Sequence, residues 1–113
     1  MKAIYVHKGD EIDYTPNTDV GAGDVVVIGA NLLGIAKLDI KSGTLGSLSL
    51  KGVFDVSKTA GAGKAIALGV EVYWDATNKV ATTDSNSGAN LSLGKTVAAA
   101  TDADTTVRVR LKQ

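Results

Sequence analysis

An all-β fold is expected from three features of this 113-residue chain. Thirteen glycines against a single proline, Pro16, are spread along its length, and glycine suits tight turns while weakening helix interiors. Val, Ile, Leu and Thr recur in short runs of alternating polarity, the period-two signature of strands. Only one stretch permits so much as a helical turn. The expected architecture is a small single-domain barrel or sandwich of about eight short strands with at most one short helical turn.

A chain of this length can bury roughly 65% of the surface its unfolded state exposes. Hydrophobic residues make up 44% but aromatics only 4%, so the core must be aliphatic and thin. Residues 1–16 are expected to form an N-terminal strand and extended arm, and residues 17–113 the body. Ala3-Ile4-Tyr5-Val6 reads as a short strand ended by Lys8-Gly9-Asp10. The polar stretch 11–23 reads as arm or loop, where Pro16 biases Thr15 toward extended backbone.

The run Asp24-Val25-Val26-Val27-Ile28 reads as a strand buried on both faces, with the return strand over 33–40. In that return Ala36, Leu38 and Ile40 share one face. Residues 47–57 alternate most clearly: Leu48, Leu50, Gly52, Phe54 and Val56 face inward, and Val53 alone breaks the polar set opposite. The helical turn is expected within 64–68 of the glycine-rich segment 58–69.

Val70, Val72 and Trp74 are expected inward on the next strand, followed by turn chemistry at Asp75-Ala76-Thr77-Asn78 and a hairpin partner over 79–83. Residues 84–90 form a polar loop. Strand character resumes over 91–100, and 101–104 form a turn. In the last strand Val107, Val109 and Leu111 alternate with Arg108, Arg110 and Lys112.

Charge and composition exclude several functions. Twelve basic and twelve acidic residues cancel, so the Lys/Arg excess of a non-specific nucleic-acid binder is missing. Cysteine is absent, which removes disulfides and thiolate metal sites. No apolar run approaches the roughly 20 residues of a membrane helix, and no secretory signal is expected.

The motifs that invite chemistry fail on their spacing. Gly61-Ala62-Gly63-Lys64-Ala65 has Lys58 where a phosphate loop needs Gly and Ala65 where it needs Ser or Thr. Gly21-Ala22-Gly23 precedes a strand, whereas a dinucleotide loop must follow one. His7 has no nucleophile to activate. Asp10, Glu11 and Asp13, like Asp102 and Asp104, read as solvated acidic turns. No catalytic residue, metal, cofactor or small-molecule substrate is expected.

Contact residues are the remaining candidates. Tyr73 and Trp74 point to opposite faces of one strand, so Trp74 belongs to the core and Tyr73 to a surface that can meet a partner. Arg108 and Arg110 line a polar strand face suited to solvated or inter-subunit ion pairs. Tyr5, Tyr14 and Pro16 are the corresponding candidates on the arm.

Four segments in order carry a family resemblance: Gly23-Asp24-Val25-Val26-Val27, Gly52-Val53-Phe54-Asp55-Val56-Ser57-Lys58, Ile66-Ala67-Leu68-Gly69-Val70-Glu71-Val72-Tyr73-Trp74-Asp75 and Thr105-Thr106-Val107-Arg108-Val109-Arg110-Leu111. The chain resembles the capsid cement, or decoration, proteins of tailed bacteriophages. Ser57 stands where that pattern often has Pro. The resemblance implies a β-rich, non-enzymatic virion protein that assembles in the host cytoplasm onto the capsid exterior and stabilises it. Implied partners are itself, as a trimer or dimer, and the major capsid protein. Competing readings are a tail or tube component, a nucleotide-binding recombination-related protein suggested by Gly63-Lys64, and a carbohydrate-binding module. The last is disfavoured by the scarcity of aromatics.

Overall fold

The computed structural model describes residues 2–111. The arm's first residue and the outward position expected for Lys112 lie outside them. The fold is all-β, with nine strands among the described residues, in two antiparallel sheets that do not close into a barrel. The first sheet contains β1 (Glu11–Tyr14), β2 (Val25–Ile28), β3 (Leu32–Ile35) and β4 (Gly46–Ser49), in the order β1-β4-β3-β2. The second contains β5 (Gly52–Ser57), β6 (Glu71–Asp75), β7 (Val80–Thr82), β8 (Leu91–Thr96) and β9 (Thr106–Leu111), in the order β5-β9-β8-β6-β7.

The expected strand over 47–57 is two strands, one in each sheet. The break falls at Leu50-Lys51: the Leu50 N–H still follows the register with β1, bonding the Asp10 carbonyl at 2.8 Å, and pairing with β9 begins at Gly52. Gly52 follows with φ 128°, a backbone state that L side chains rarely adopt. The alternation survives the break because Leu48, Leu50 and Val56 are all buried. Periodicity thus records the burial of these three but conceals the change of sheet, at which Ser49, expected outward, is 2% exposed and Gly52, expected inward, is exposed.

Two cores result. The larger lies between the sheets and gathers Val56, Val72, Trp74, Leu93, Val107, Val109 and Leu111 against Leu33 and Ile35 of β3. The smaller packs Val20, Ala36, Ile40 and Leu48 with Ile12, Tyr14, Val26 and Ile28 on the other side of the first sheet. There the backbone of β3 approaches closely: a Cβ at Gly34 would sit 2.9 Å from the Leu48 Cβ.

Several local expectations are corrected. Residues 3–6 form no strand and stand exposed; their β propensity finds no pairing partner among the described residues. The first strand is instead β1, inside the polar stretch expected to be arm or loop. It pairs with β4 and turns Ile12 and Tyr14 inward while Glu11 and Asp13 face out. The run Val25–Ile28 is an edge strand rather than one enclosed on both faces. Val25 and Val26 pack on opposite cores, but Val27 is 40% exposed.

The return strand ends at Ile35. Beyond it the backbone follows a bend held by Asp39, whose carboxylate accepts the Ala22 N–H at 2.8 Å, and by the Val20–Ile40 bridge. Ala36 and Ile40 stay buried, but Leu38 turns out to 77% exposure. Residues 64–68 form no helical turn. Ile66 makes a bridge to Ala100, and the single 3-10 turn among the described residues is Asn86–Gly88 in the polar loop.

Candidate contact surfaces

The structure separates the candidate contact residues into three environments. Tyr5 lies on the exposed arm at 79% exposure, between the equally open Ile4 and Val6. Tyr14 is half-buried against the smaller core, and Pro16 is buried with its carbonyl accepting the Gly43 N–H at 2.9 Å. Tyr14 and Pro16 therefore hold the base of the arm to the body and present little side chain outward.

Tyr73, Arg108 and Arg110 share the outer face of the five-stranded sheet. The ladder brings them together because directly paired residues point to the same side. Tyr73 pairs with Ser92 and Thr82, Arg108 with Asp55, and Arg110 with Val53 and Lys95. A register shift between Val72 and Tyr73 preserves this arrangement while keeping Trp74 in the core.

Arg108 and Asp55 form a two-point contact, Nε to Oδ1 at 2.9 Å and Nη2 to Oδ2 at 3.2 Å. The hydrogen bond from Arg108, reinforced by its charge, holds the Asp55 carboxyl below the usual value of 3.8; Asp55 raises Arg108 in turn. Asp75 is lowered as well, chiefly by the Asn78 N–H, then by the Asn78 side chain and, less, by the Thr77 N–H. A carboxyl lowered in the folded state contributes stability that is present above the unfolded value and lost as pH falls through the folded one. Carboxyl NMR titration is expected to place the Asp55 midpoint below 3.8, and Arg108→Gln should return it toward that value. An unchanged midpoint in the variant would contradict this assignment.

Sequence patterning missed three surface features. Leu38 and Leu45 project at 77% and 71% exposure; Leu45 is visible in retrospect as an apolar residue among turn formers. They line an open groove of about 600 Å³ with Glu11, Asp13, Lys37 and Asp39. Lys95, unremarkable in sequence, becomes significant only through its register opposite Arg110. Val53, the one apolar exception in its polar set, flanks the same row.

The phosphate-loop lookalike is occupied by the chain's own carboxylate. Asp102 Oδ1 accepts the N–H groups of Lys64 and Ala65 at 3.0 and 2.8 Å, and the Asp102 carbonyl accepts the Gly61 N–H. The neighbouring Lys58 ammonium donates to three backbone carbonyls. Both features fasten the 58–69 segment to the turn before β9. Among the described residues no cluster of three His, Cys, Asp or Glu side chains is placed to hold a metal ion.

No curated protein and no solved structure matches the chain. The family model of phage cement proteins matches residues 6–111, nearly its whole length. The all-β body is consistent with that match, and the chain belongs to the phage cement protein family, whose role in the phage capsid is structural.

Proposed function

We propose that the protein binds the outer surface of the capsid and stabilises it as a small homo-oligomer, with the major capsid protein as its partner. The observation that carries this reading is the unsatisfied arm. Ala3-Ile4-Tyr5-Val6 combines β-forming side chains with near-complete exposure, while the body completes both cores without it. Such a segment gains most by adding to another protein, where an extended backbone finds ladder partners and alternate side chains find pockets.

Capsid stabilisation then follows from numbers. Each copy clamps neighbouring subunits weakly, and repeated engagement over a shell converts modest local contacts into a large collective effect. Residues 11–16 belong to the sheet and its base, so the adhesive part of the proposed arm is the segment before Asp10.

Deleting residues 2–9 is expected to weaken co-sedimentation with empty capsids by at least roughly tenfold, a loss of about 1.4 kcal/mol. The melting temperature of the isolated protein should change little, because Ile4, Tyr5 and Val6 pack against neither core. Heating capsids with and without the full-length protein supplies the second readout. Undiminished capsid binding after deletion would defeat the role proposed for the arm.

A further inference from the structure

The outer face of the five-stranded sheet carries a row in which two cations stand against one acid. Val53, Arg110, Lys95 and Glu71 lie side by side across β5, β9, β8 and β6. Directly opposed side chains on an antiparallel ladder are near neighbours, and like charges there repel. Arg110 thus has a cation on one side and a valine on the other. Of the nearby acids, Asp55 is paired with Arg108 at two points, and Glu71, opposite Lys95, accepts the Ser92 hydroxyl on Oε2 at 2.7 Å but keeps its charge, so the row retains one net positive charge. Among the described residues neither Lys95 nor Arg110 makes an ion pair. Val53 and Val97, at 55% and 41% exposure, add apolar surface.

The groove beside β1 and β4 has the opposite character. Glu11, Asp13 and Asp39 place three carboxylates there against one ammonium, Lys37, which already pairs with Glu11 at 3.7 Å. Leu38 and Leu45 supply the apolar part. Groove and sheet face share no residue, so each is free to meet the complementary surface of another molecule.

We infer that a second copy of this chain occupies the groove, setting its Lys95–Arg110 face against Glu11, Asp13 and Asp39 and its exposed valines against Leu38 and Leu45. The inference rests on the self-association proposed above and names the surfaces that make it. Opposite potentials fix partner and register, while the apolar flanks supply the buried area. A contact between two different patches closes when both are used at once, in a two-fold pair or in a ring. A phosphate chain is a poorer occupant, because two cations flanked by a valine and a carboxylate on a neutral protein offer no continuous basic track.

The test is the solution mass of the full chain, without capsids, at on the order of 100 μM, where weak association is visible. Lys95→Glu/Arg110→Glu reverses the face, and Asp13→Lys/Leu45→Lys reverses the groove; all four side chains are exposed. Each double variant alone should lose association, with its mass falling at least roughly twofold. Mixed in equal amounts they should re-associate, because the reversed face fits the reversed groove and the two native surfaces still match. Far-UV circular dichroism confirms that each remains folded.

A monomeric wild type overturns the inference, as does wild-type mass in either variant or failure of the mixture to re-associate. A face variant that keeps its mass but no longer co-sediments with capsids also overturns it, assigning the face to the shell. Capsid binding is measured separately, so loss of self-association with intact co-sedimentation would leave the cement reading standing.

Discussion

Replacing Lys58 with Met is expected to lower stability by about 2–4 kcal/mol, equivalent to roughly 10–15 °C in melting temperature for a domain of this size. Lys58 is only 5% exposed, yet its charge is met by no carboxylate among the described residues. Three carbonyl dipoles solvate the ammonium instead: Thr59 at 3.0 Å, Thr101 at 3.0 Å and Asp104 at 2.9 Å. Each ammonium proton therefore has an acceptor, which is what makes a buried lysine tolerable.

Methionine preserves much of the side-chain bulk and removes all three donors, leaving the carbonyls to find water in a closed turn. Arginine is expected to rescue only part of the loss, because a planar fork does not match three acceptors converging on one point. Thermal unfolding of the two variants beside the wild type measures both effects. A shift of less than about 2 °C for Lys58→Met would show that water replaces the ammonium without cost.

Leu33→Ala is expected to cost about 2–5 kcal/mol and to loosen the two sheets from each other. Among the described residues, Leu33 and Ile35 are the buried residues that the first sheet contributes to the inter-sheet core; the others come from the second sheet and its connections. Leu33 is 1% exposed, so its loss leaves a cavity at the junction rather than at an edge that can collapse.

Leu48→Ala provides the comparison, since Leu48 is equally buried but belongs to the smaller core. Both variants should lose stability to a similar degree. Only Leu33→Ala should alter the emission of the native protein, because Trp74, the sole tryptophan, packs in the same cluster as Leu33. Equal Trp74 spectra in the two variants would mean that the sheets are joined through other contacts.

Much of the fold is legible in the amino-acid order, because burial on a sheet has a period of two. The inward sets Val70, Val72 and Trp74 and Val107, Val109 and Leu111, the turns at 75–78 and 101–104, and the all-β class follow from local chemistry. Tyr73, Arg108 and Arg110 are also legible as outward-facing, although only the ladder brings Tyr73 onto the same face as the two arginines.

The remainder was decided by partners distant in sequence. Ala3-Ile4-Tyr5-Val6 has strand character but pairs with no strand among the described residues, whereas Glu11–Tyr14 becomes a strand because Gly46–Ser49 lies beside it. Leu38 fits an inward pattern, and a bend held by Asp39 and Ala22 turns it out. The glycine-rich 61–65 loop resembles an anion cradle until Asp102, about forty residues later, fills it. Local sequence thus determined which side chains prefer burial and where the chain can turn. Tertiary structure decided which backbone groups found partners and which charges met, because hydrogen bonding and electrostatics depend on neighbours that no local window contains.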